Sequence, residues 1–416
     1  MGVVAPNGIG LQAFEQALRN SESGIRHLTD LEKLNFSCQV GGIPPLTDEI
    51  KSRYFSELTI KVLKSSGIIY GCIAGMDAWK DAGFPPGADP DAEPDWDAGC
   101  IFGTGLSGVE PLRDAIYAVD AGNVRRLGSR VVEQTMSSGI SAYLCGILGL
   151  GNQVTTNSSA CSTGTESIIM AWDRIREGKA EVMLAGSCDS FGPYIWGGFD
   201  SMRVLNRSSN DAPEKASRPM SATAEGFVPG AGAGALVLES LDHALKRGAK
   251  IYAEVLGGAV NAGGQRNGGT MTAPNSRGVI RCIVKAMENA GVQSGEVDAI
   301  CGHLTSTMGD VLEVRNWSEA LGRTGKDFPY INSLKSMIGH CLGAAGSIET
   351  VAAVLQLQND FFHANLNAED LHPEISGRID AAKVPAKPVT PAGFSVIGKS
   401  SFGFGDVNAC LFLKKY

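Results

Sequence analysis

An α/β fold built from two similar halves is the prediction, and three observations carry it. The chain has 416 residues, more than one simple core usually serves, so two domains or one large duplicated body are expected. Segments of strand character alternate with helical ones along the whole length, as crossover helices between strands require. The 53 glycines supply tight turns and places where backbone meets backbone or ligand.

Taken in order, VTTNSSA (154–160) reads as a strand and STGTESIIMAWDRIREG (162–178) as a helix. In that helix Ile168, Trp172 and Ile175 fall at i, i+4 and i+7 and predict a buried apolar face. EVMLAGSCDS (181–190) is the next strand. Strand GALVLES (234–240), a short helix around HALKRG (243–248) and strand YAEVLGGAVNA (252–262) form the hinge that divides residues 1–250 from 251–416. The second half repeats the alternation: helix 276–291, strand DAICGHL (298–304), helix 310–322, strand YINSL (330–334) and helix AAGSIETVAAVLQLQ (344–358). Strands FSVIGKSSF (394–402) and NACLFLKK (408–415) close it. No short-period repeat is present, which excludes a solenoid. Segments 84–98 and 206–218, rich in Pro, Asp, Ser and Asn, read as solvated surface loops.

Composition narrows the function. With 36 Lys and Arg against 44 Asp and Glu the net charge is −8, the wrong sign for a protein that neutralises phosphates, so no nucleic-acid partner is expected. No run of about 18 apolar residues occurs, and the start MGVVAPNGIG has neither a charged n-region nor an h-region. Neither a membrane span nor a signal peptide is therefore expected, and the setting is cytoplasmic. The 10 cysteines are scattered without a CxxC pair, the pattern of reduced thiols rather than of disulfides or zinc.

Cys161 lies where a strand pattern stops and a helix pattern begins, in SSACSTGT (158–165). A thiol there faces the positive end of a helix. That end supplies about 0.3 to 1 kcal/mol, at most about one pKa unit, so a base or a cation has to help. Cys161 is then either a small buried hydrophobe, as most cysteines are, or a nucleophile. Of the 6 histidines, His27, His243, His363 and His372 have ordinary polar or helical surroundings and are expected at the surface. His303 and His340 each follow a glycine where a strand pattern gives way to a turn, and the matching settings single them out. Lys335 is either a solvated charge or, if buried near imidazoles, a cation that keeps them neutral. Phe402, Gly403, Phe404 and Gly405 make a flexible apolar turn, a weak signal alone.

Together, GLQAFEQALRNSESGI (10–25), the Cys161 context, EGFVPGAGAGALVLE (225–239), GHLTSTMGD (302–310), NSLKSMIGHCLGAAGSIE (332–349) and SFGFGDVNA (401–409) resemble the beta-ketoacyl-acyl carrier protein synthases, the elongating synthase I and II type above all. The resemblance spans nearly the whole chain. It implies a thiolase-like fold, two α/β halves packed as a five-layer αβαβα body, and a homodimer. It implies that Cys161 is the acylated nucleophile, that His303 and His340 donate to the thioester carbonyl of a malonyl unit as carbon dioxide leaves, and that Lys335 holds the histidine electrostatics. The amides of Cys161 and Phe404 would form the oxyanion hole. Thr305 and Thr307 would contact the pantetheine arm, Phe404 would be the gate, and Phe199 with Phe402 would border the acyl group. No cofactor of its own is implied, since phosphopantetheine arrives on the carrier protein. Arg203, Arg207 and Lys64 are candidates for meeting that acidic partner.

Departures from the pattern are specific. Leu304 stands where the family has Gly, the loop around Met308 is one residue short, Ser400 replaces Asn, and Asp406-Val407 replace a Gly-Thr pair. The family's first strand precedes the segment matching MGVVAPNG, so either a stretch ahead of Met1 or a gap in the first sheet is expected. Three functions compete: a condensing enzyme of fatty acid or specialised polyene and polyketide synthesis; a thiolase or acyl hydrolase, which the setting of Cys410 in an apolar strand disfavours; and a synthase-like chain-length partner subunit. Retention of Cys161, His303, His340 and Lys335 argues against the last.

Overall fold

The computed structural model describes residues 1–85, 87, 89 and 91–416. Three residues of the expected surface loop 84–98 lie outside that set, and residues 91–97 are exposed. The strands are β1 (Gly2–Ala5), β2 (Gly8–Ile9), β3 (Ile25–His27), β4 (Val40–Gly42), β5 (Ala98–Thr104), β6 (Val154–Thr155), β7 (Val182–Asp189), β8 (Gly232–Glu239), β9 (Ala253–Ala262), β10 (Ala299–Cys301), β11 (Tyr330–Asn332), β12 (Val396–Gly403) and β13 (Val407–Lys415).

The two halves are topological copies. One sheet runs β2-β1-β8-β7-β5-β6 and the other β11-β10-β12-β13-β9. In each, two parallel pairs (β6/β5 and β5/β7; β11/β10 and β10/β12) are followed by two antiparallel ones (β7/β8 and β8/β1; β12/β13 and β13/β9). The middle strands are covered on both faces, which is why β7 is buried throughout and reads as a nearly unbroken apolar run.

Between the sheets lie two helices, Thr163–Arg176 and Ala345–Gln358. Helix Ser66–Asp81 covers the outer face of the first sheet, and helices Ser276–Ala290 and Gly309–Leu321 that of the second. The result is the five-layer αβαβα body. The apolar core between the sheets is shared by both halves, through Val3, Ile168 and Ala185 from one and Ile348, Ile397 and Leu411 from the other.

The central helices meet backbone to backbone. A Cβ on Gly164 would sit 2.4 Å from the Ser347 amide nitrogen, and one on Gly346 would sit 2.5 Å from that of Thr165. Only glycine permits this reciprocal approach. It corrects the expected Ile168, Trp172, Ile175 face: Ile168 is fully buried, but Trp172 and Ile175 are only half-buried. The buried first turns consist of Thr163, Gly164, Thr165 and Ser167, small enough to fit between two sheets.

Three expected strands end early for one reason, the supply of side-chain acceptors to the backbone. VTTNSSA pairs only through Val154 and Thr155; beyond them Thr163 Oγ1 accepts from the Ser159 amide at 2.9 Å. DAICGHL stops at Cys301 because Glu313 takes the amides of His303 and Leu304, at 2.6 and 2.7 Å. YINSL stops at Asn332, where Asn365 takes the Ser333 amide. Segment 206–218 is exposed only in its middle. Asn206, Ala216 and Ser217 are buried, and the Ser217 hydroxyl donates to the carbonyl of Lys335 at 2.6 Å.

At the start of the chain β1 pairs with β8 through Gly2, Val3 and Val4 opposite Ala235, Gly234 and Ala233. Among the described residues nothing pairs on that side with residues 236–239 of β8, and a cavity of about 440 Å³ adjoins them, bordered also by Met1, Tyr252 and Leu413. No helix among the described residues is long and apolar enough to cross a membrane.

Candidate active site

Because the central helices cross at their first turns, what precedes each helix is brought together. Cys161 precedes helix Thr163–Arg176 and His340 precedes helix Ala345–Gln358. His340 Nε2 lies 3.1 Å from Cys161 Sγ. His303, just past β10, stands beside them with its ring centroid 5.2 Å from that of His340 and the planes at 82°. The sulfur and one nitrogen of each ring lie within 4.8 Å of one another.

The turn carrying Cys161 is tight. Ala160 has φ 48°, a left-handed value unusual for a residue with a side chain. Thr163 holds the turn from both sides, its hydroxyl donating to the Ala160 carbonyl at 2.7 Å while accepting from the Ser159 amide. The turn packs on residues 401–407: the Ser162 hydroxyl reaches the carbonyls of Ser401 and Val407 at 3.1 and 3.2 Å, and the Phe404 amide points at Cys161. Of the ten cysteines, all free, only Cys161 and Cys145 are not fully buried.

Partners decide the histidine tautomers. The amide of Leu342 can only donate, and it donates to His340 Nδ1 at 3.2 Å, so neutral His340 carries its proton on Nε2, toward the sulfur. The Lys335 ammonium also only donates; it sits 3.5 Å from His303 Nδ1 and 2.6 Å from the His303 carbonyl, so His303 likewise carries its proton on Nε2. Burial pushes both rings well below the usual imidazole pKa, and the Lys335 charge adds to it. Both are neutral donors at physiological pH. Burial pushes the Cys161 thiol the other way, up to about 11, against the opposing pull of Lys335 and the Phe404 amide. His340, its Nε2 already protonated, is poised to donate to a thiolate rather than to remove the thiol proton.

Lys335, 1% exposed, is no solvated charge; it is paired with Glu349. Buried carboxylates anchor the rest. Glu313 fixes the backbone of His303 and Leu304. Asp310, pushed up to about 7 by burial, accepts from the amides of Thr305, Ser306 and Met220. Asp189, pushed up to about 6 by burial, accepts from Gly343, three residues past His340, and from Gly105 and Leu106. Leu304, where glycine was expected, is buried with φ 20°, its amide held by Glu313.

Cys161, His303 and His340 form the one cluster with metal-ligand reach among the described residues. The Lys335 ammonium beside it opposes a divalent cation there.

Residues 1–244 match the model of the beta-ketoacyl synthase N-terminal domain and residues 252–369 that of its C-terminal domain. The chain belongs to the beta-ketoacyl synthase family. It is 34% identical over 413 residues to 3-oxoacyl-[acyl-carrier-protein] synthase I, chloroplastic, of Arabidopsis thaliana, covering 98% of this chain and 84% of the relative. Among solved structures it is similar to the ishigamide ketosynthase/chain length factor, with TM-score 0.87, 26% identity and 100% and 97% of the two chains covered. It is also similar to a type II polyketide acyl-carrier protein in complex with its ketosynthase bound to the hexaketide, with TM-score 0.86, 27% identity and 100% and 98% covered. The five-layer body is thus the thiolase-like fold of the ketosynthases.

The remaining residues singled out from the sequence take definite places. Phe404 faces Phe199 at 6.1 Å between ring centroids, Phe199 faces Phe227 at 5.5 Å, and Phe227 faces His340 at 5.3 Å. Phe402 lies 6.3 Å from His303. Thr305 and Thr307 are half-buried with their hydroxyls 2.9 Å apart. Arg203, Arg207 and Lys64 are exposed, Lys64 facing Asp114 at 3.8 Å. His363 corrects the surface expectation: it is 1% exposed, its Nδ1 is 2.9 Å from the Ala364 carbonyl, and burial pulls it down to about 4. Sequence reading missed Phe227, Asp189, Glu313, Glu349 and Lys399. The last two carry a signal, a lone charge inside an apolar helix and a lone charge inside an apolar strand.

Proposed function

We propose that the chain joins a carrier-bound acyl group to malonyl-carrier protein by decarboxylative Claisen condensation, with Cys161 as the nucleophile. The observation that carries this reading is the pair of neutral imidazoles at the Cys161 sulfur, His340 with Nε2 at 3.1 Å from it and His303 with a ring nitrogen within 4.8 Å. In the first half-reaction the Cys161 sulfur attacks the acyl thioester, the carrier thiol leaves with the cysteine proton, and the acyl group stays on sulfur. The thiolate that attacks is stabilised by the helix end, the Phe404 amide, His340 Nε2–H and Lys335. Acylation removes the sulfur's charge and frees His340 Nε2–H.

In the second half-reaction His303 and His340 both donate to the malonyl thioester oxygen. The electron pair of the breaking carbon–carboxylate bond moves into the enolate as carbon dioxide departs. The enolate carbon attacks the acyl thioester, the amides of Cys161 and Phe404 hold the oxyanion, and collapse returns the Cys161 thiolate, which regains a proton. Thr305 and Thr307 hold the pantetheine arm, Phe404 is the gate, and Phe199, with Phe402, borders the acyl chain. Phosphopantetheine comes with the carrier protein, and no cofactor of the chain's own takes part.

The unit boundary in this reading falls between 250 and 251, the first unit supplying Cys161 and the second the histidines and Lys335. The enzyme is a cytoplasmic homodimer. Leu112, Ile116, Tyr117, Val132 and Tyr194, all exposed, and the open edge of β6 favour a partner surface there; sedimentation as a monomer at micromolar concentration would remove it. Arg203, Arg207 and Lys64 meet the carrier protein, and charge reversal there should weaken its binding. A chain-length partner subunit would not need the intact Cys161, His303, His340 and Lys335 constellation. The test is incubation with acyl- and malonyl-carrier protein: ketoacyl product is expected, with an acyl mass increment that vanishes in Cys161→Ala. An increment persisting in that variant rules out the nucleophile.

A further inference from the structure

Lys399 stands at the middle of β12, the central strand of the second sheet, opposite Cys301 on one side and Leu411 on the other, and is 0% exposed. An ammonium is costly to bury unless it is paired. Its charge partner is Glu349: Lys399 Nζ lies 2.9 Å from Oε2, a charge contact rather than a directed hydrogen bond, while Lys335 takes Oε1. The ammonium also donates to the Ser400 carbonyl and, at 3.0 Å, to the Ser401 hydroxyl. That hydroxyl lies 2.8 Å from Thr165 Oγ1, on the helix that follows Cys161.

We propose that Lys399 is a positioning residue for the condensation: by sharing Glu349 with Lys335 it leaves Lys335 incompletely neutralised, and the surplus positive charge of the cluster faces His303, His340 and the sulfur. This rests on the function proposed above. One carboxylate serves two ammoniums, and Lys335, not Lys399, is the one that touches His303. Without Lys399 the Lys335–Glu349 pair would be an ordinary neutral pair with little field at the imidazoles.

The groups facing the two rings are few. Lys335 and Lys399 are the cations, and Glu349 and Glu313 the nearby carboxylates. Asp310 and Asp189 lie behind the turns that carry the rings, and Cys161 lies in front. Lys399 acts on both histidines in the same direction as Lys335, toward the neutral form. The consequence is useful twice. The imidazoles stay neutral as pH falls, and the negative charge that forms on sulfur and on the enolate oxygen meets a positive background.

The experiment is Lys399→Met, which keeps an unbranched chain of similar volume and leaves Glu349 paired with Lys335. The ring titrations of His303 and His340, followed by imidazole nitrogen NMR, should move up by about one pH unit, the scale of one unit charge acting through partly screened interior. The acid limb of malonyl decarboxylation should move with them. Lys399→Arg, which keeps the charge, should leave both near the wild-type position. A purely structural role would disturb both variants alike. Ring titrations in a folded Met variant within about 0.2 unit of wild type would overturn the proposal. If that variant fails to fold, Lys399→Gln takes its place: the same upward shift of both ring titrations is expected, and titrations within about 0.2 unit of wild type overturn the proposal. The ring titration needs no turnover, so absence of ketoacyl product and absence of the shift are separate results.

Discussion

His303→Ala separates the two half-reactions. The substitution removes a single Nε2–H donor and little else that holds the site, because the contacts that fix this stretch are made by its backbone. The residue 303 carbonyl still accepts from Lys335, and its amide still donates to Glu313. Nor does His303 hydrogen-bond to the Cys161 sulfur, which is the contact of His340. Losing one preorganised donor to a developing oxyanion typically slows a reaction about 10² to 10³-fold, or roughly 2.7 to 4 kcal/mol. With His340 still in place, the lower end applies, about 10²-fold. The assay has two arms on the same preparation: carbon dioxide release from malonyl-carrier protein, and the acyl increment on Cys161 by intact mass. Decarboxylation should fall about 10²-fold while acylation changes by less than about threefold. Decarboxylation within about threefold of wild type, in protein that melts cooperatively, would refute the shared-oxyanion argument.

His340→Ala should behave differently. Its Nε2 faces the sulfur and in the proposed reaction later serves the malonyl oxygen, so both acylation and decarboxylation should fall, the latter about 10²-fold, in the same two-arm assay. Gly164→Val tests the helix crossing. Its Cβ would lie 2.4 Å from the Ser347 amide nitrogen, backbone that cannot give way, so a destabilisation of about 3 kcal/mol or more is expected in thermal or denaturant unfolding. Gly146→Ala is the control. That glycine is exposed inside helix Gly139–Leu148 with open space at the Cβ position, and the substitution should stabilise by about 0.5 to 1 kcal/mol.

The α/β alternation, the central helices and the residues that meet at the site were readable because each leaves a periodic or chemical mark. Three expected strands ran too long because apolar or β-branched composition does not reveal where a side chain takes over a backbone amide. Glu313 ends one such strand and Asn365 another, and neither is a neighbour in sequence of what it binds. His363 looked like a surface group because its polar neighbour Asn365 is spent on buried backbone, donating to the Ile331 carbonyl and accepting from the Ser333 amide. Lys399 shows the opposite: a charge in an otherwise apolar strand was visible, but its meaning depends on Glu349, fifty residues earlier on another layer.

The deepest gap concerns why the site exists where it does. The halves share strand order and polarity without sharing a visible sequence repeat, so nothing in the amino-acid pattern equates the turn before helix Thr163–Arg176 with the turn before helix Ala345–Gln358. Once the sheets stack, those turns become symmetry-like counterparts, and Gly164 against Gly346 brings them into contact. One turn offers a sulfur and the other an imidazole. In the proposed reaction the chemistry therefore sits on the seam, where neither half holds both the sulfur and the imidazoles, and a change at the crossing should cost both folding and catalysis even though it touches no reacting atom.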